Sequence, residues 1–324
     1  APNAGVSNPS DDTATAIDGV ATFGALGLTG LVSNTYKLNF NLVGSNTVSG
    51  VSQSNITISY GTANQLALTT QPLGFVNRAN FTTQPVVWIA DASGNAVSAS
   101  GSTVTASVSG ATLSGNTSVT TSAGKATFTD LGIYGTAGTY TITYASSGLT
   151  SVTQTVTLVA GAVDHITLTA STTAQNAIAL STQPYVTTYD IDNNVTNTVT
   201  QSVSIAATGA TLSGTTTQAA SAGIADFTGN SLALTGTVGT KTLTASVVIN
   251  GTTFTSNSLS IQLNAGTATK LGLTQNALGA ASRKVITTQP VLEVQDVSGN
   301  RVPGRTDTIT VSTSGVTLGG DTSM

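Results

Sequence analysis

The chain has 324 residues, no cysteine, a net charge of −4 and 7% charged residues, against about 25% in ordinary soluble domains. Disulfides, thiol chemistry and cysteine-ligated zinc are therefore excluded, and nine scattered Lys and Arg make no basic stripe for nucleic acid or an anionic membrane. Ser, Thr, Gly, Ala and Val take the place of the missing charges, giving a surface hydrated by hydroxyls that suits the outside of a cell. The length predicts about two to three domains.

No leader pattern opens the chain at Ala1, and no apolar run reaches the length of a membrane span. The nearest approach, GVATFGALGLTGLV (Gly19–Val32), is short and Gly-rich and reads as a strand followed by a turn. No membrane insertion is expected of this segment. Beyond it, the stretch FTTQPVVWIADASGN (Phe81–Asn95) returns as LSTQPYVTTYDIDNN (Leu180–Asn194) and as ITTQPVLEVQDVSGN (Ile286–Asn300). The anchoring prolines, Pro85, Pro184 and Pro290, are separated by 99 and 106 residues. Asp91, Asp190 and Asp296 lie six residues after their prolines, GATLSG or GVTLGG starts 25 after, and Phe128 and Phe227 lie 43 after. A repeat of about 100 residues holds these registers together.

Within a repeat the apolar period is two, which means strands. Val87, Val186 and Leu292 share a parity with Ile89, Thr188 and Val294, while Trp88, Thr187 and Glu293 point the other way, towards water. Val104/Ala106, Val203/Ile205 and Ile309/Val311 alternate in the same manner, as do Ala126/Phe128, Ala225/Phe227 and Tyr140/Ile142/Tyr144. Turn signals (ASGN, GATLSG, TSAGKA, GTAGT) separate the runs. Seven short strands in about 100 residues describe an immunoglobulin-like β-sandwich. The expected fold class is all-β, a tandem array of such sandwiches with essentially no helix.

The linkers YGTANQLAL (Tyr60–Leu68), AGAVDHITL (Ala160–Leu168) and AGTATKLGL (Ala265–Leu273) set the boundaries. Residues 1–61 form the C-terminal part of a repeat, 62–161 and 162–266 are complete, and 267–324 form the N-terminal part of another. DGVATFGAL (Asp18–Leu26) aligns with AGKATFTDL (Ala123–Leu131), and YKLNF (Tyr36–Phe40) with YTITY (Tyr140–Tyr144).

The run TTQPVVWIADASGN…GATLSG…GKATFTDLGIYGTAGTYTITYASSGLTSVTQTVTL resembles the bacterial immunoglobulin-like repeats of invasin- and intimin-type adhesins, S-layer proteins and other giant surface proteins. The resemblance covers the whole chain. It implies an extracellular, cell-surface rod and brings no active site with it. The tryptophan–disulfide core of antibody domains is not expected, because the chain lacks Cys.

Candidate sites are few. The lone histidine, His165, stands beside Asp164 in a linker where the other units carry Asn64–Gln65 and Thr269–Lys270, so it reads as a solvated residue rather than part of a nucleophile triad. Glu293 has no carboxylate partner in strand register. The protein is not expected to be an enzyme. The turns DASGN, DIDNN and DVSGN carry ordinary turn chemistry, with Asp bonding backbone amides and Gly94, Asn193 and Gly299 tolerating positive φ. In the middle turn Asp190, Asp192 and Asn194 alternate as oxygen donors, making it the candidate calcium site. Sequons at Asn55, Asn80, Asn116, Asn194 and Asn250 are glycosylation candidates. Trp88, facing outwards, is expected to be covered by a neighbouring chain, a neighbouring unit or a glycan. The expected function is structural, a segment of an S-layer, surface filament or adhesin stalk forming a rod or lattice, with a module binding a receptor or glycan as the alternative. Neighbouring copies of the protein are the expected partners. The part-repeats at the two ends are complementary, so the tail of one subunit completed by the head of the next is one expectation, and a window cut from a longer polypeptide is the other.

Overall fold

The computed structural model describes residues 5–6, 13–44 and 47–319. It divides into two compact units at Gly161/Ala162. Among the described residues there is no helix and every regular element is a strand.

In the first unit, residues 62–161 make two facing sheets. One has the order Lys125–Thr127, Val86–Asp91, Ala63–Thr70, and the other Ser118–Thr120, Thr103–Val108, Gly138–Ala145, Val152–Leu158. A third ladder, Ala79–Asn80, Gly132–Tyr134, Thr112–Ser114, lies beside them. The count of ten strands exceeds the expected seven, because several are two- or three-residue ladders that alternation alone does not reveal. Val87 and Ile89 from the first sheet, with Phe128 just after its strand Lys125–Thr127, meet Val104, Ile142 and Val156 from the second, all 2% exposed or less. Two antiparallel sheets closing on one apolar layer are an immunoglobulin-like sandwich.

The second unit repeats this over residues 162–266. His165–Thr169, Tyr185–Tyr189 and Ile224–Asp226 form one sheet, facing a six-stranded sheet built on Gly239–Ile249. Val186, Phe227, Val203, Leu243 and Ile261 are fully enclosed. The strand Gly239–Ile249 is 11 residues long, against eight for its counterpart Gly138–Ala145, and turns back through Asn250–Gly251 into Thr252–Thr255. Both turn residues have positive φ (49° and 82°), the conformation of the tight hairpin turn that Asn-Gly favours.

The recurring Gln-Pro has a structural reason in its glutamine. The Gln84 amide donates to Phe81 O (3.0 Å) and Leu131 O (2.9 Å) and accepts from Leu131 N (2.9 Å). Gln183 does the same with Leu180 O, Leu232 O and Leu232 N. Each side chain thus supplies the hydrogen bonds of a missing peptide, stitching the start of one strand to a segment 47 or 49 residues on.

Several expectations need correction. Ala21–Phe23 forms no strand, only the turn bridged by Ile17 and Val20. In the complete repeat the equivalent Lys125–Thr127 is held by pairing with Val86–Trp88, and residues 13–61 contain no such partner. Ile309–Val311 likewise forms no strand, since the counterpart Thr103–Val108 depends on Gly138–Ala145 for its ladder. Thr187 does not face water: it is 7% exposed, a short side chain on a central strand flanked by Thr167 and Ile224. His165 opens a strand rather than lying in an irregular linker, and its ring stacks on Tyr189 at 5.4 Å.

Candidate functional site at the repeat junctions

The buried acidic side chains among the described residues, Asp91, Asp190 and Asp296, all lie at the Asp-x-x-x-Asn turns. Asp91 and Asn95 are each 5% exposed, Asp190 and Asn194 are 1% and 5%, and Asp296 and Asn300 are 0% and 7%. Gly94, Asn193 and Gly299 take positive φ of 83°, 61° and 83°, which lets the chain curl its amides around the aspartate. Asp91 Oδ1 accepts from Ser93 N (2.9 Å) and Asn95 N (2.8 Å). Asp190 Oδ1 accepts from Asp192 N and Asn194 N, and Asp296 Oδ1 from Ser298 N and Asn300 N. In all three the asparagine Nδ2 donates to the other carboxylate oxygen at 2.9 to 3.0 Å.

The same side chains reach beyond the turn. In the first unit Asn95 Nδ2 donates to Gly30 O (2.8 Å), and its Oδ1 accepts from Val32 N (2.9 Å). Gly30 and Val32 fall within residues 1–61, which the sequence reads as the preceding part-repeat. Asp91 Oδ2 accepts from the linker amide of Gly61 (2.8 Å). The second unit reproduces this arrangement: Asn300 Nδ2 to Gly236 O (2.8 Å), Val238 N to Asn300 Oδ1 (2.9 Å), Gly266 N to Asp296 Oδ2 (2.9 Å). One more residue joins there. Asn176, 1% exposed, donates to Asp296 Oδ2 (2.9 Å) and accepts from Gly236 N (2.8 Å).

Five N–H groups therefore converge on the Asp296 carboxylate, and four on that of Asp91. Burying an anion without a cation is costly unless its oxygens are fully hydrogen-bonded. Burial alone pushes the Asp296 pKa up, but the bonds from Gly266, Asn300 and Asn176 outweigh it and hold the group down at about 2. Asp91 is lowered in the same balance: burial raises it, and Gly61, Asn95 and Ser93 bring it below the ordinary 3.8.

Asp190 is enclosed and its oxygens hold three N–H donors, with which a calcium ion would compete. Asp192 is half-buried beside it. Among the described residues no three acidic or histidine side chains converge on one point. Asn55, Asn80, Asn116 and Asn250 are exposed, whereas Asn194 is buried with its Nδ2 held by Asp190. Trp88 lies on the outer side of its sheet, between the buried Val87 and Ile89, and the ammonium of Lys125 sits 4.6 Å above its ring from the adjacent strand, opposite it in register. His165 Nδ1 and Asp164 Oδ2 form a half-exposed pair at 3.0 Å. Asn176, Gln84 and Gln183 were not singled out by sequence reasoning, nor was Asn77, which is buried and accepts from Gly135 N (3.0 Å) as Asn176 accepts from Gly236 N. Their signal was there: Asn77 and Asn176 each stand eight residues before the repeat's proline, and Gln84 and Gln183 immediately before it.

No family model and no curated protein matches the chain. Among solved structures it is similar to FdeC, an Escherichia coli adhesin, at 20% identity over 76% of this chain and 79% of that one, with a TM-score of 0.43. It is similar to invasin, a bacterial integrin-binding protein, at 18% identity over 79% of this chain and 53% of that one, with a TM-score of 0.33. Domains 4–9 of the surface layer protein SbsC match at 16% identity over 81% and 42% of the two chains, with a TM-score of 0.29. FdeC, invasin and SbsC are of the kinds the repeat sequence resembles, and glycoside hydrolases are also among the similar structures.

Proposed function

We propose that this chain is a structural segment of an extracellular surface protein (S-layer, surface filament or adhesin stalk), whose task is to join immunoglobulin-like repeats in series. The observation that carries this reading is the recurrence, in both units, of the same buried Asp–Asn junction on the backbone of the preceding repeat. A recognition surface differs from repeat to repeat, whereas a spacer reuses one joint. The low charge, with a surface hydrated by hydroxyls, supports an extracellular setting. On this reading the apolar faces of residues 13–61 and 267–319 are covered by further strands, supplied by the same polypeptide or by a neighbouring copy of the protein. Leu271 is 51% exposed there, while the corresponding Leu66 is 5% exposed.

The test is an in-frame deletion of residues 62–161 in the cell that makes the protein, with surface reach measured by electron microscopy alongside adhesion. The deletion brings the loop after Gly30 to the turn Asp190–Asn194, which carries the same end residues. Shorter reach with adhesion retained is expected; unchanged reach with adhesion lost would contradict the spacer role. The alternative, a module that binds a receptor or glycan, is favoured by one feature. The hairpin through Asn250–Gly251 is present in the second repeat alone of the two complete ones and exposes Val248 (55%).

A further inference from the structure

The contacts that cross each junction end on backbone atoms. Asn95 takes the N–H of Val32 and gives its own to the carbonyl of Gly30, and Asn300 treats Val238 and Gly236 identically. The side-chain amide thereby pairs with the first and third residues of a loop as a peptide group of an adjoining strand would. The residues between them differ, Leu31 in one loop and Thr237 in the other, yet the four bonds fall at 2.8 or 2.9 Å. What is recognised is the loop's backbone shape.

We propose that the Asp-x-x-Gly-Asn turn is a docking plug, that its partner is the backbone of the tail loop of the preceding immunoglobulin-like repeat, and that its asparagine sets how firmly successive repeats are joined. The aspartate has a separate part. Its Oδ2 holds one asparagine N–H in place, which fixes the amide with its nitrogen towards Gly30 or Gly236 and its oxygen towards Val32 or Val238. The aspartate also fastens the linker through Gly61 or Gly266. Loop and linker, the two strands of chain that bound the junction, are thus held by adjacent side chains of one turn. This inference concerns how repeats are joined and stands whether the array serves as a spacer or as a binder.

The experiment uses the full chain, with amide hydrogen exchange read residue by residue in the parent and in Asn95→Ala. Asn95 lies outside the apolar core cluster of its repeat, and alanine keeps the backbone N–H that Asp91 Oδ1 accepts. Exchange at Val32 is expected to quicken at least about fivefold, the loss of one net hydrogen bond, while Ser93 and Ile89 keep their protection. Asn300→Ala is the second variant, read at Val238 against Leu243. Asn95→Asp is expected to release Val32 as fully as alanine does, because it loses the donor to Gly30 and sets a second carboxylate against Asp91. Unchanged exchange at Val32 and Val238 would overturn the proposal. Loss of protection that includes Ser93 and Ile89 would also overturn it, by assigning the asparagine to its own turn.

Discussion

Tyr144 shows how the core tolerates a polar atom. Its ring is fully enclosed and meets Phe128 edge-on at 5.7 Å, but its hydroxyl has no hydrogen-bond partner. An unsatisfied buried hydroxyl costs about 1–3 kcal/mol, so Tyr144→Phe should raise the melting temperature of its repeat. A pH signature should go with it. Burial raises the Tyr144 pKa above its ordinary 10.0, so at alkaline pH the folded state keeps a proton that the unfolded chain releases. Stability should therefore fall as pH rises above 10, by up to about 1.4 kcal/mol per pH unit, and the phenylalanine variant should lack that component. Thermal melts at neutral and alkaline pH check both. The alternation of Tyr140, Ile142 and Tyr144 made the inward direction of this side chain legible. The fate of its hydroxyl was not, because that depends on atoms brought from distant strands.

At the level of the strand, parity was the reliable guide. It set Val87, Ile89, Val104, Ala106, Phe128 and Phe227 inside, and all are 5% exposed or less. It failed where a strand has no partner to pair with, as at Ala21–Phe23 and Ile309–Val311, and where neighbours cover a short side chain, as at Thr187. The glutamine before each proline escaped it because its hydrogen bonds span 47 to 49 residues and leave no trace in local periodicity. Gln84→Ala leaves Leu131 N and O without this partner in a closed part of the sandwich, and should destabilise the repeat by about 1–3 kcal/mol. Gln183→Ala should do the same through Leu232. Chemical denaturation of each variant, followed at its own repeat, checks the size. A change below a few tenths of a kcal/mol would show that water replaces the amide.

Across the whole molecule two features matter, the open faces and the joints. Ile17 (77%), Val285 (82%), Leu278 (63%) and Leu273 (57%) expose apolar surface of the kind that drives association. The chain should therefore form concentration-dependent oligomers in light scattering, reduced when residues 1–61 are deleted. A monomer at all concentrations would count against association through these faces. The joints were half legible. Turn chemistry at Asp91, Asp190 and Asp296 could be read from five residues, but the groups that the Asp91 and Asp296 turns bond across the junction lie 30 to 120 residues away. Their acid response follows from the lowered pKa values. With a folded value below the unfolded 3.8, the contribution of Asp296 is complete above that pH and is lost as pH falls through about 2. The most direct test of the account is thus the carboxyl carbon of Asp296, followed by NMR through an acid titration of the full chain. A midpoint near 2 is predicted, with the Gly266 amide shifting in step; a midpoint at 3.8, with Gly266 unmoved, would mean that no such joint is held.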